Sequence, residues 1–107
     1  MYLTRVLTEL LGSFFFIGTI LATGEAIPAA VALLAAIFFG GKISGGHFNP
    51  AVSTAFLAKG TITPRTWLGY VLAQLLGGLL AFAWIRYASL TERMVVTGAK
   101  ASSRRRA

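Results

Sequence analysis

Along the first ninety residues, charged side chains are scarce and apolar ones gather into three long runs separated by short glycine- and proline-marked breaks. A helix needs about 20 mostly apolar residues to cross a bilayer, because each adds roughly 1.5 Å across a hydrocarbon layer roughly 30 Å thick. Residues 3–23 meet that length and contain a single acid, Glu9. Their start resembles a secretory signal peptide, but further apolar runs follow, so a first spanning helix is the better reading. Residues 27–43 form a second, slightly short run, with Pro28 in the first turn, where its missing N–H is harmless. Residues 66–87 form a third, entered through Thr63-Pro64. The pattern therefore predicts an all-α membrane protein with three transmembrane helices. Small residues at four-residue spacing mark faces for close helix contact: Gly69, Ala73, Gly77 and Ala81 in the third helix, Ala32, Ala36 and Gly40 in the second.

Between the second and third runs, residues 50–58 are apolar but span only about half the hydrocarbon thickness at roughly 1.5 Å per residue. Asn49 is a favoured N-cap, Pro50 suits the first helical position, and Gly60 supplies a stop. This is a half-helix with both ends written, preceded by a glycine-rich extended run, Gly40-Gly41 and Gly45-Gly46. Irregular backbone at membrane depth is tolerated only where protein covers it or a water-filled cavity receives it, since unpaired carbonyls in lipid cost several kcal/mol each. That logic points to a re-entrant pore element. Carbonyls near Ser44 to Phe48 line the path, and the positive end of the half-helix, with the Asn49 amide, faces its centre. Such an end repels cations and interrupts a proton wire.

Composition supports bilayer as the solvent: hydrophobic residues make up 56% and charged residues 12% of the chain, too few of the latter to clothe a water-facing domain. The net charge of +7 suggests nucleic acid until its placement is considered. Six of the ten basic residues lie from Arg86 onward, outside the apolar runs. Residues 1–88 are thus the membrane unit, and 89–107 read as a basic disordered tail; no aromatic or fold signal supports nucleic-acid binding. Without cysteine there is no thiolate chemistry. His47 has no second histidine or suitably spaced acid, so it reads as a loop-packing residue and not as a metal or acid–base group. No catalytic constellation and no cofactor motif are visible, and a channel, not an enzyme, is expected. A coupled transporter would want an ionisable pair near midplane, which the runs lack.

The run Ile43-Ser44-Gly45-Gly46-His47-Phe48-Asn49-Pro50-Ala51-Val52-Ser53 closely resembles the first signature of the aquaporin (major intrinsic protein) family. Gly69-Tyr70-Val71-Leu72-Ala73-Gln74 with Gly77-Gly78 resembles the family's third helix, and Thr8-Glu9-Leu10-Leu11-Gly12 its first. The likeness covers roughly residues 3–88 and corresponds to the family's N-terminal half, the first of two inverted repeats. It implies passive passage of water, glycerol or another small neutral solute through an integral membrane protein of the plasma (inner) membrane. Asn49, in the Asn49-Pro50-Ala51 motif, would orient permeating water. Gly45, Gly46, His47 and Phe48 would present carbonyls, and Glu9 and Gln74 would brace the loop. For Glu9 the residues agree, since a lone carboxylate inside an apolar helix is expensive and is usually functional or paired.

The chain also departs from the family. One half-helix is present where a full channel has two, and Val52 follows the motif where the second repeat carries a filter arginine. About twenty residues before Asn49, where many water-selective members place a filter aromatic, stands Ala29, which implies a wider filter. The connection at Thr23 to Ala26 is short enough to strain the first hairpin. Lys42, at the cytoplasmic mouth by analogy, reads as solvated, with tuning of ion exclusion as the alternative. With the N-terminus inside, the inner face holds Arg5, Lys42, Lys59 and Arg65, against six basic residues outside, the reverse of the usual bias. Two accounts follow: antiparallel copies pair into a homo-oligomeric pore, or the reading frame is interrupted after about Tyr87. In the second, the chain is a non-conducting fragment or an interaction subunit of a full-length channel.

Overall fold

The computed structural model describes residues 1–106. Four helices follow one another: α1 (Tyr2–Thr23), α2 (Ala26–Ser44), α3 (Pro50–Lys59) and α4 (Pro64–Arg106), with no strand among the described residues. The fold is all-α, and α1, α2 and α4 are each long and apolar enough to cross a membrane. In the bundle α1 is central, with α2 on one side and α4 on the other, while α3 packs against α4.

Small residues set these distances. The Gly69, Ala73, Gly77 and Ala81 stripe of α4 faces α1. Ala73 and Ala81 are buried, and a Cβ on Gly77 would come within 2.6 Å of the Leu10 carbonyl oxygen. Gly69 makes room for the Tyr2 ring. On the other side Gly40 of α2 lies so close to α1 that a Cβ would reach 2.8 Å from Thr8 Cγ2. Close backbone approach replaces the hydrophobic driving force that is missing between helices in lipid.

The interior and exterior have exchanged chemistry. Glu9, Ser13, Ser44, His47, Ser53, Thr66 and Gln74 are buried, while Leu3, Phe15, Val31, Leu34, Phe38, Phe39, Leu72 and Leu79 are exposed. Hydrocarbon contacts cost those apolar side chains nothing, and only the interior offers partners to polar ones.

Three expectations are corrected. Gly40-Gly41 lies within α2, and Gly45-Gly46 forms a left-handed turn instead of an extended run. The connection between α1 and α2 does not strain the hairpin: Gly24 takes a left-handed conformation (φ 63°), open to glycine, and its N–H donates to the Ile20 carbonyl at 2.8 Å. The segment after Ala88 is not disordered, for α4 continues to Arg106; Ala107 lies outside the described residues. Loss of apolar periodicity there was no stop signal. The stretch contains no proline, its one glycine is Gly98, and Arg104, Arg105 and Arg106 complement the negative end of the helix dipole. At roughly 1.5 Å per residue its 43 residues reach about 65 Å, which accounts for the long axis of 68 Å in a molecule only 25 by 20 Å across.

Candidate functional site

After Ser44 the chain turns back on itself. Gly45 (φ 95°) and Gly46 (φ 68°) both adopt the left-handed region, where a side chain is costly. The reversed strand of backbone lies along α2: a Cβ on Gly46 would sit 3.3 Å from Gly41 Cα and 3.5 Å from Ile37 Cα. Two residues later the Phe48 ring is wedged between Gly12 of α1 and Gly40 of α2, and a Cβ on Gly12 would fall inside that ring. Gly12 is halfway along α1, so the segment has returned to half the depth of the bundle. There α3 begins and runs back toward the starts of α1 and α4. It is the re-entrant half-helix that Asn49, Pro50 and Gly60 predict. Asn49 Oδ1 accepts from the Ala51 N–H at 2.8 Å, and Gly60 closes the other end in a left-handed conformation, its N–H donating to the Leu57 carbonyl at 3.0 Å.

Phe48 itself has φ 52°, the one positive value outside glycine among the described residues. A non-glycine residue there costs roughly 1–2 kcal/mol. What holds it is a carboxylate. Glu9, fully buried, accepts from the Phe48 N–H at 2.7 Å on Oε1 and from the His47 N–H at 3.1 Å on Oε2. Ser44 Oγ donates to Oε2 at 2.6 Å and Gln74 Nε2 to Oε1 at 2.8 Å. All four partners are neutral, and two are backbone amides of the irregular segment. Gln74 uses Nε2 a second time, on Ser53 Oγ at 2.8 Å, which joins α4 to α3; the Glu9 carboxylate, which only accepts, is what requires the nitrogen at that end of the amide. Its Oε1 is buried without a partner, as is Ser13 Oγ one turn beyond Glu9.

His47 is packed against its surroundings. Its ring stacks on Phe56 with centroids 4.6 Å apart, meets Tyr70 edge-on at 5.1 Å, and pairs through Nδ1 with Ser53 Oγ at 2.9 Å. Tyr70, also fully buried, donates its hydroxyl to the Ser44 carbonyl at 2.5 Å. Farther along α3, Trp67 Nε1 donates to Thr54 Oγ1 at 3.0 Å.

Thus the structure brings together Glu9, Gln74, Gly45, Gly46, His47, Phe48, Asn49, Pro50 and Ala51. Ala29 stays apart, in the first turn of α2 at the end away from Ser44. Lys42 is exposed near the end of α2. Ser44, Ser53 and Tyr70 belong to the same cluster, though sequence reasoning did not single out their side chains. For Tyr70 a signal existed, because it precedes Gln74 by one helical turn and so shares its face. Two features bear on chemistry. The carbonyls of Gly45, Gly46, His47 and Phe48 accept no hydrogen bond among the described residues. The exposed Asn49 spends its Oδ1 on the helix cap, which leaves Nδ2 as an uncommitted donor at the positive end of α3. A separate recess of about 410 Å³ between α1 and α2 is apolar, walled by Thr8, Gly12, Phe15, Ala36 and Phe39; of the expected site residues only Phe48 borders it.

The sequence profile of the family described as "Major intrinsic protein" matches residues 2–105. Over 92 residues the chain is 39% identical to glycerol uptake facilitator protein-like 6 of Lactiplantibacillus plantarum, covering 77% of this chain and 42% of that protein. Over 105 residues it is 39% identical to aquaporin-8 of Mus musculus, covering 86% of this chain and 40% of the relative. Aquaporin NIP1-1 of Zea mays is 33% identical over 99 residues, with 79% and 35% covered. The chain therefore spans about two fifths of the length of the curated relatives it matches. No solved structure matches it.

Proposed function

Because the chain belongs to the major intrinsic protein family, we propose that it forms one half of a passive channel for water or small neutral solutes. The observation that carries this reading is Asn49, whose Oδ1 is held by the Ala51 N–H so that the amide nitrogen alone faces outward at the start of the half-helix. A permeating solute would accept from Nδ2 while it exchanges bonds along the four uncommitted carbonyls of Gly45 to Phe48. A solute oxygen held by a donor at the positive end of a helix points its hydrogens away, and a cation meets repulsion there. Glu9 and Gln74 act as braces in this proposal: they hold the backbone of His47 and Phe48 in a conformation the loop would not keep alone. Pro50 and Ala51 begin the half-helix behind the amide. Ala29 leaves the outer part of the path wide, which favours admission of solutes larger than water, glycerol among them.

A single copy offers one wall, so the conduit requires a second half, supplied by an antiparallel copy of this chain or by another repeat. The proposed location is the plasma (inner) membrane. Liposomes holding only this protein are expected to shrink faster in hyperosmotic buffer than empty ones, and tags on α4 should report both orientations. Shrinkage at the empty-vesicle rate with a single orientation would overturn self-assembly and leave an interaction subunit of a longer channel. Asn49→Asp is expected to weaken exclusion of cations; an unchanged permeability profile would remove Asn49 from the path.

A further inference from the structure

Glu9 is an anion in the interior whose four partners are neutral, and the cation that answers it is one helical turn earlier. Arg5 Nε donates to the Tyr70 hydroxyl oxygen at 3.2 Å, with the guanidinium carbon 5.7 Å from the ring centroid. Since that oxygen accepts from Arg5, its own hydrogen is committed to the Ser44 carbonyl. Ser44 is then held twice. Its carbonyl, at the end of α2 where helix carbonyls run out of intrahelical donors, is capped by Tyr70. Its Oγ reaches Glu9 Oε2 at 2.6 Å and accepts from the Gly46 N–H at 3.2 Å. A single hydrogen-bonded path thus leads from the Arg5 cation through Tyr70 and Ser44 to the Glu9 anion, and it passes through the residue from which the irregular segment departs.

We infer that Arg5 and Tyr70 are positioning residues for the re-entrant segment, fixing Ser44 and through it the course of residues 45–48. Their charge and polarity serve this end. Arg5 orients the Tyr70 hydroxyl, and its cation stands near the negative end of the α2 dipole, where positive charge is favoured. Tyr70 without its hydroxyl would still fill its place beside His47, so the two roles, packing and donation, are separable. The consequence for permeation rests on the pore reading above, whereas the positioning itself does not.

Hydrogen exchange of the chain in lipid nanodiscs tests this, because it reads the loop whether or not the protein conducts. Tyr70→Phe should speed exchange of the 45–48 amides about tenfold, the effect of losing one buried hydrogen bond near charge, while amides of α1 and the inner part of α4 keep their rates. Arg5→Gln should move the same amides in the same direction, and Arg5→Lys, which keeps charge and donor, should restore them. Unchanged loop exchange in Tyr70→Phe, an equal rise throughout α1 and α4, or loops as fast in Arg5→Lys as in Arg5→Gln would each overturn the assignment. If the exchange pattern holds but the unaltered protein passes no water in vesicles, the pore reading fails and the positioning role stands.

Discussion

The inner half of α4, Pro64 to Ile85, and its outer half, Arg86 to Arg106, are one uninterrupted helix with opposite relations to their surroundings. The inner half buries Thr66, Tyr70, Ala73, Gln74, Gly77 and Ala81. Tyr70 and Gln74 point at partners on α1, α2 and α3, and its leucines point outward. In the outer half nearly every residue is exposed, and Leu90, Met94, Val95 and Val96 each show half or more of their surface. What differs is the source of order. The inner half is specified by tertiary contacts at named atoms, the outer half by local propensity and its basic end alone, which gives helices in water only marginal stability.

That contrast yields a graded set of expectations. Glu9→Gln should cost the most, about 3 kcal/mol or more, because an amide group replaces an acceptor oxygen amid four converging donors. Denaturant titration in detergent would measure it, and a loss below 1 kcal/mol, the size of a surface change, would break the comparison. Gly77→Val should come next, at about 1–3 kcal/mol, as the new side chain meets the Leu10 carbonyl and Ser13. The same titration checks it, with helix separation visible as weakened protection of α1. Trp67→Phe, which removes the bond to Thr54 together with part of a half-buried ring, should cost about 1 kcal/mol and loosen α3 without disturbing the α1–α4 contact. Arg93→Gln in the outer half should shift bundle stability by no more than about 0.5 kcal/mol. A larger change there would mean that the outer half has a partner after all.

Much of the inner architecture was legible because its signals are local. Asn49, Pro50 and Gly60 delimit α3 by rules that operate over a turn or two, and the Gly69, Ala73, Gly77, Ala81 stripe announces its face by spacing alone. Glu9 stood out as a carboxylate that hydrocarbon would not accept, whereas Gln74 was marked only by the resemblance to the family's third helix. Ser44 and Ser53 did not, since a serine reads alike whether it caps, bonds a neighbour or meets water, and their partners lie 35 and 21 residues away. Arg5 and Tyr70 were hidden for a related reason, although each precedes a recognised polar residue, Glu9 and Gln74, by one turn. The outer half of α4 was misread because apolar periodicity reports burial, and a helix without neighbours has none to report.

The carboxylate of Glu9 has a last implication for charge traffic. Each of its oxygens already receives two donors, one pair from Phe48 and Gln74, the other from Ser44 and His47. An oxygen so occupied has no lone pair to spare. The fold therefore carries a negative charge at half depth that offers a sodium or potassium ion nowhere to dock, so its field acts on the scaffold while the anion itself stays saturated.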